Sequence, residues 1–235
     1  MKLLSVIILR DNSIFPDRIR PSVDYSDSEK IQLFEPKNRN ELLKIQKTIK
    51  TKYVVFVRKS SMINPFANFD LLANNADSLI FTSYLYDSQI YTESEIRNFI
   101  NIKNTNSFES LIKTQHDILD LMVLPSIIIP GSLFSKINVS NISIKYELFE
   151  KELALLLLEL SPTICVLKEP FIVTSASVPI NKGDCVEVLS FSNNNKFVSP
   201  LCLQYCNRLT ESCNINNNIK HKIKTIIKQT IKRIF

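Results

Sequence analysis

Tyr53-Val-Val-Phe-Val57, running straight into Arg58-Lys-Ser-Ser-Met-Ile-Asn-Pro65, decides how the rest of the chain is read. Its first five residues are all β-branched or aromatic, with no polar residue alternating among them. A run of that kind suits a strand covered on both faces, as in a parallel sheet. The charged and hydroxyl residues after Val57 then fall where such a strand ends. Lys2-Leu-Leu-Ser-Val-Ile-Ile-Leu9 is a second run of the same character. Between the two, Asn40 to Lys50 carries Leu42, Leu43, Ile45 and Ile49 at helical spacing, with Asn40 available as a cap.

Nearby, Lys30 to Phe34 reads as a strand stopped by Pro36. Arg10 to Pro21, interrupted by Pro16 and Pro21, reads as loop, and Ser22 to Asp24 as a short strand end. Downstream, Ala67 to Asn74 suits a helix and Ser78 to Tyr86 a strand. Two further helices fall near Glu93 to Ile100 and over Phe108 to Leu124. Ile127 to Pro130 is a short strand, and Tyr146 to Leu160 carries the strongest helical pattern in the chain. Cys165 to Leu167 and Pro170 to Thr174 read as strands. Alternation of strand and helix predicts an α/β fold, a mainly parallel sheet flanked by helices. Residues 1–180 are expected to form this domain, 181–214 an extension, and 215–235 a separate helix.

Composition narrows the chemistry. The chain has 235 residues, of which 45% are hydrophobic, enough to fill a core. It has only two glycines, Gly131 and Gly183, against a usual share of roughly 7%. No P-loop and no G-x-G-x-x-G can be written with them, nor a G-x-S-x-G around a nucleophilic serine. His116, with no second histidine in the fold, reads as a packing or surface residue. The five cysteines, Cys165, Cys185, Cys202, Cys206 and Cys213, are expected as reduced thiols, since no signal peptide is legible before them. A metal site from Cys202, Cys206 and Cys213 with His221 lacks a C-x-x-C pair, so no metal is expected.

Four places together resemble a family 2 glycosyltransferase of the GT-A type, over roughly residues 1–180. Ser5-Val-Ile-Ile8 resembles the opening strand of that family. Val23-Asp24-Tyr25-Ser26-Asp27 is similar to its second-strand end, where an aspartate contacts the nucleotide base. Tyr53 to Pro65 resembles the strand that enters the metal-binding Asp-x-Asp-Asp segment. Phe149-Glu-Lys-Glu-Leu-Ala-Leu155 resembles the acidic helix start that supplies the catalytic base, with Pro170-Phe-Ile-Val-Thr174 as the strand after it. The resemblance implies a nucleotide-sugar donor, with Asp24 at the base and Glu152, or else Glu150, taking the proton of the acceptor hydroxyl. The acidic metal positions, however, fall on Arg58, Ser60 and Ser61. A divalent cation on a diphosphate needs anionic oxygen ligands, so a cation cofactor is not expected here. Arg58 and Lys59 could neutralise the diphosphate directly. With the aspartates gone, activity is left open between a sugar transferase and an inactive relative.

The end of the chain carries its own signal. Ile219, Ile223, Ile226, Ile227, Ile231 and Ile234 draw an apolar stripe at helical spacing. Lys220, Lys224, Lys228 and Lys232 recur every four residues, joined by Lys222 and Arg233. Those six basic residues, with no acid from Ile219 to Phe235, equal the whole chain's net charge of +6, so the remainder is neutral (6 − 6 = 0). The pattern suits an interfacial helix on an anionic membrane, each cation contributing roughly 1 kcal/mol. Docking of the stripe on the chain's own domain is the competing reading; nucleic acid is not expected, for want of arginine and aromatics. No run reaches the roughly 20 apolar residues of a spanning helix. The expected protein is a glycosyltransferase-like member of a bacterial surface-polysaccharide pathway, cytoplasmic and peripheral on the inner face of the membrane. Its expected acceptor is a glycan or lipid-linked molecule. The alternative is an inactive scaffold beside a partner glycosyltransferase.

Overall fold

The computed structural model describes residues 2–10, 17–25, 28–64, 67–73, 78–86, 124–160, 163–174, 181–197 and 199–213. Among these residues the chain forms a seven-stranded sheet in the order β2-β1-β3-β6-β5-β7-β4. The strands are β1 (Leu4–Leu9), β2 (Ile31–Phe34), β3 (Tyr53–Arg58), β4 (Met62–Ile63), β5 (Leu79–Tyr86), β6 (Ile127–Pro130) and β7 (Ile164–Thr174). The helices are α1 (Ile19–Tyr25), α2 (Arg39–Thr48), α3 (Asp70–Ala73), α4 (Gly131–Phe134), α5 (Tyr146–Leu160), α6 (Lys182–Asn195) and α7 (Pro200–Ser212). Strand β1 pairs in parallel with β2 and β3, and β5 with β7. Strand β6 runs antiparallel to both β3 and β5, and β4 runs antiparallel to β7.

The unbroken apolar strands are explained by two cores, one on each face. In β1, Leu4, Val6 and Ile8 enter one core while Ile7 and Leu9 enter the other. In β3, Tyr53, Val55 and Val57 go one way, and Val54 and Phe56 the other. The first face is covered by α1 through Ile19 and Val23, and by Phe69 and Leu72. The second is covered by Leu42 of α2, Phe134 of α4 and nearly all of α5. There Phe56 packs between Phe134 and Phe149, with ring centroids 5.6 and 4.5 Å away. Helix α5 is apolar round most of its circumference because the sheet lies on one side and α6 and α7 on the other. Cys185, Val188, Leu189, Tyr205 and Leu209 of those two helices share its core. Lys145, just before α5, lies 2.8 Å from Asp184 in the first turn of α6.

The fold departs from several expectations. Ser22 to Asp24 is not a strand end but part of α1. Pro21 is tolerated there because the first helical turn has amides without intrahelical partners, so its missing N–H costs nothing. The cap of α2 is Asn38 rather than Asn40. Its side chain accepts from the Glu41 amide at 3.0 Å, and Glu41 accepts in return from the Lys37 amide at 2.7 Å. The two strands expected around Lys168 form one continuous β7. Cys185 and Cys213 are joined as a disulfide, whereas Cys165, Cys202 and Cys206 remain thiols outside it. Cys202 Sγ donates instead to the Leu155 carbonyl at 3.3 Å, and Cys206 Sγ to Ser192 Oγ at 3.3 Å, so the three sulfurs of the weighed metal site face different partners. His116, His221, the helix expected at 93–100, all but Leu124 of the helix expected at 108–124, and the basic helix at 215–235 lie outside the described residues.

Candidate functional site

From β1 the chain reaches β2 on one side and, after α2, β3 on the other. The carboxyl end of β1 is therefore a topological switch point, where open α/β sheets form their crevice. Helix α1 covers the face entered after β1, and α2 the opposite face. A cleft of about 440 Å³ opens there, lined by Ile8, Arg20, Asp24, Leu33, Phe34 and Glu35. That volume is in the range of small-ligand sites, roughly 300–1,000 Å³. Its floor is apolar and strand-borne; its charged residues come from α1 and from the residue after β2.

Charge in the cleft is organised around Glu35. Its carboxylate takes Lys59 Nζ at 2.7 Å on one oxygen and a nitrogen of Arg20 on the other. Lys59, then Arg20, hold the Glu35 carboxyl below its ordinary range, against an opposing effect of burial. Arg20 Nε is also 3.3 Å from Asp17. The first amides of α1 are anchored on the same strand end: Arg18 N and Ile19 N both donate to the Lys59 carbonyl, at 2.8 and 3.2 Å. Ser22 Oγ accepts from the Ile63 amide at 2.9 Å and donates to the Ile19 carbonyl. Helix α1 is thus fixed to the turn after β3.

The residues singled out from the sequence divide between the two faces. Asp24 lies exposed on α1 at the cleft, and Lys59 reaches the cleft through Glu35. Arg58 lies on the other face, only 4% exposed, with its guanidinium 4.2 Å from the centroid of the Tyr146 ring. Its Nε has no partner among the described residues. Ser60 and Ser61 are buried, and Ser61 Oγ is 3.3 Å from Thr174 Oγ1. Arg58, Ser60 and Ser61 do not line the cleft. A divalent cation does not fit these positions, because a guanidinium and two buried hydroxyls offer it no anionic oxygen. Nor do the described residues gather three side chains able to hold a metal.

Glu150 and Glu152 also belong to the Arg58 face, on α5. Glu150 accepts from the Leu124 amide at 3.1 Å and lies 2.7 Å from Lys151. Glu152 accepts from the Ser143 amide at 2.5 Å. Burial pushes the Glu152 carboxyl up to about 7, with the Ser143 amide and Arg39 acting the other way and Glu187 adding to it. The Tyr146 hydroxyl is held well above its usual range, first by burial and then by Glu150. Arg20 and Glu35 were missed in the sequence. Glu35 carried a usable signal, since it directly follows the expected strand ending at Phe34 and strand ends line such crevices.

No protein-family model and no curated protein matches the chain. Solved structures do. The chain is similar to S. aureus TarS residues 1–349 at 15% identity and a TM-score of 0.53, covering 90% of this chain and 72% of that one. The same TarS segment in complex with UDP-GlcNAc matches over 99% of this chain and 81% of that one, at 10% identity and a TM-score of 0.53. Against a longer TarS chain the match covers 85% of this chain at 14% identity and a TM-score of 0.51, but spans only 40% of that chain. At these identities the likeness concerns the fold, a mostly parallel sheet flanked by helices of GT-A-like type.

Proposed function

We propose that this chain is a glycosyltransferase-like protein that binds a nucleotide sugar in the cleft at the carboxyl ends of β1 and β2. The observation that carries the reading is the place of that cleft. It lies at the switch point of a sheet whose solved counterparts include TarS, a family 2 glycosyltransferase, in complex with UDP and with UDP-GlcNAc. Ile8, Leu33 and Phe34 offer an apolar surface on which a pyrimidine base can lie, and Asp24 an acceptor for its ring N–H. The sugar would be passed to a glycan or lipid-linked acceptor in the assembly of a bacterial surface polysaccharide. Residues 215–235 would rest on the inner, anionic membrane face. Among the described residues no helix is long and apolar enough to cross a membrane, which agrees with a surface-bound arrangement as well as with others.

The burial of Arg58, Ser60 and Ser61 favours a second reading, a binding scaffold that holds the nucleotide sugar for a partner transferase. Glu150 and Glu152, which each hold a backbone amide of the fold itself, fit that reading as readily as a role as base. Titration calorimetry with uridine, UDP, UDP-GlcNAc and ADP tests what the two share. Uridine compounds are expected to bind and ADP to bind more weakly; no binding of any uridine compound would remove both. Release of UDP on adding a glycan acceptor would then separate transferase from scaffold.

A further inference from the structure

The metal site expected of the fold does not fit this chain, yet a diphosphate in the cleft needs positive charge beside it. The cations on the cleft face supply an alternative. Strand alternation sends Phe56 and Arg58 to the α5 face but Val57 to the α1 face, and Lys59 follows Val57. Arg20 reaches the same point from α1, and one carboxylate, Glu35, bridges the two with a separate oxygen for each. Two anionic oxygens on one centre are thus already accommodated between Arg20 and Lys59. Exposed Arg10 follows Leu9, whose partner in β3 is Arg58, so Arg10 and Lys59 end neighbouring strands. The anchoring of Arg18 N and Ile19 N on the Lys59 carbonyl fixes the spacing between the helix and the strand end.

We propose that Arg20 and Lys59 hold the diphosphate of the nucleotide in place of a divalent cation, and that Glu35 is the internal carboxylate the diphosphate displaces. The inference rests on the nucleotide reading of the cleft. Arg20 and Glu35 are each partly open to solvent, with side chains 45% and 29% exposed, and Lys59 is 42% exposed. Solvent-screened pairs of this kind are weak, so a diphosphate carrying more charge than one carboxylate can replace Glu35. Asp17 and Asp24 keep the site from being strongly cationic when empty. Removal of the Glu35 charge should therefore tighten binding of the diphosphate, though Glu35 is itself in the site.

The test is calorimetry on the full chain with uridine and UDP, each in EDTA and in manganese. UDP is expected to bind more tightly than uridine in EDTA, with affinity falling as salt rises. Arg20→Gln and Lys59→Gln should each weaken UDP by about tenfold or more, the scale of a lost hydrogen bond to a charged group, and weaken uridine by much less, so that the ratio of the two affinities falls. Glu35→Gln should raise UDP affinity relative to uridine, and circular dichroism checks that each variant is folded. Uridine binding with a UDP advantage that appears only with manganese would overturn the clamp and leave the nucleotide site standing. So would a doubly substituted, folded variant that binds UDP as the unaltered chain does. Failure of both ligands to bind would sink the nucleotide reading and the clamp together.

Discussion

Replacing Glu152 by glutamine should change the stability of this protein by an amount that depends on pH. The Glu152 side chain is buried on α5, 5% exposed, and its carboxyl is raised from 4.5 to about 7, chiefly by burial. An acid raised on folding binds more protons in the native than in the unfolded state across the interval between the two values. Its favourable contribution is therefore complete below about 4.5 and is lost as pH climbs through about 7. Every tenfold gain in proton affinity corresponds to about 1.4 kcal/mol, so ionising Glu152 in place costs on the order of 3–4 kcal/mol in full, most of it between about pH 5 and about pH 8. Glutamine keeps an oxygen for the Ser143 amide but cannot ionise. Unpaired, its amide N–H groups add a fixed cost of about 1–3 kcal/mol, but that cost is the same at every pH.

The informative quantity is thus the difference between the two proteins rather than either stability alone. Relative to the unaltered chain, Glu152→Gln should gain on the order of 2–3 kcal/mol between about pH 5 and about pH 8, or roughly 4–12 °C in melting temperature. Taking the difference cancels other titrations, including that of Glu35, whose depressed carboxyl acts in the opposite sense at lower pH. Urea or thermal unfolding followed by circular dichroism at several pH values measures it. A difference that stays constant from pH 5 to pH 8 would refute the argument, because it would mean that Glu152 titrates as a solvated carboxyl does.

A Cβ at Gly131 would sit 2.5 Å from the Thr51 carbonyl oxygen, so Gly131→Ala must push apart the approach to β3 and the end of β6. It should lose about 1–3 kcal/mol in denaturant unfolding. At Gly183 the nearest atom is the side-chain oxygen of Asn181 at 3.1 Å, and alanine favours a helix, so Gly183→Ala should change stability by less than about 1 kcal/mol, measured the same way. Burial, then Glu159, raises the Cys202 thiol, and burial raises that of Cys206. Both should resist a maleimide at neutral pH in the folded protein and react at the rate of unfolding. Rapid labelling of either in the native state would contradict the packing of α7 on α5.

Most of the fold was legible because strand and helix are written in local periodicity. The expected Tyr146–Leu160 helix is α5 itself, and β1, β2, β3, β5 and β6 fall within a few residues of their expected places. What failed was decided beyond the local pattern. Helix α1 was hidden by Pro21, a breaker in most positions but harmless in a first turn held by the Lys59 carbonyl. Strand direction in β6 and β4 depends on the path of the chain between strands, which periodicity does not encode.

The site shows the same division at the scale of one residue. Arg58 and Lys59 are adjacent and both basic, and the sequence alone treats them as one phosphate-seeking pair. The period of two in a strand must send them to opposite faces. Phe56 and Val57 already mark those faces by entering separate cores. Which face carries the cleft, however, is set by α1, the helix the prolines concealed. Once α1 is placed, Lys59 and Arg20 meet at Glu35 and Arg58 is left against Tyr146. The candidate clamp joins residues 15 and 24 positions either side of Glu35 (35 − 20 and 59 − 35), a spacing that follows from strand order and from no motif. The first acidic metal position of the resembled family falls on Arg58, one residue before Lys59, and the alternation of the strand turns that residue away from the cleft.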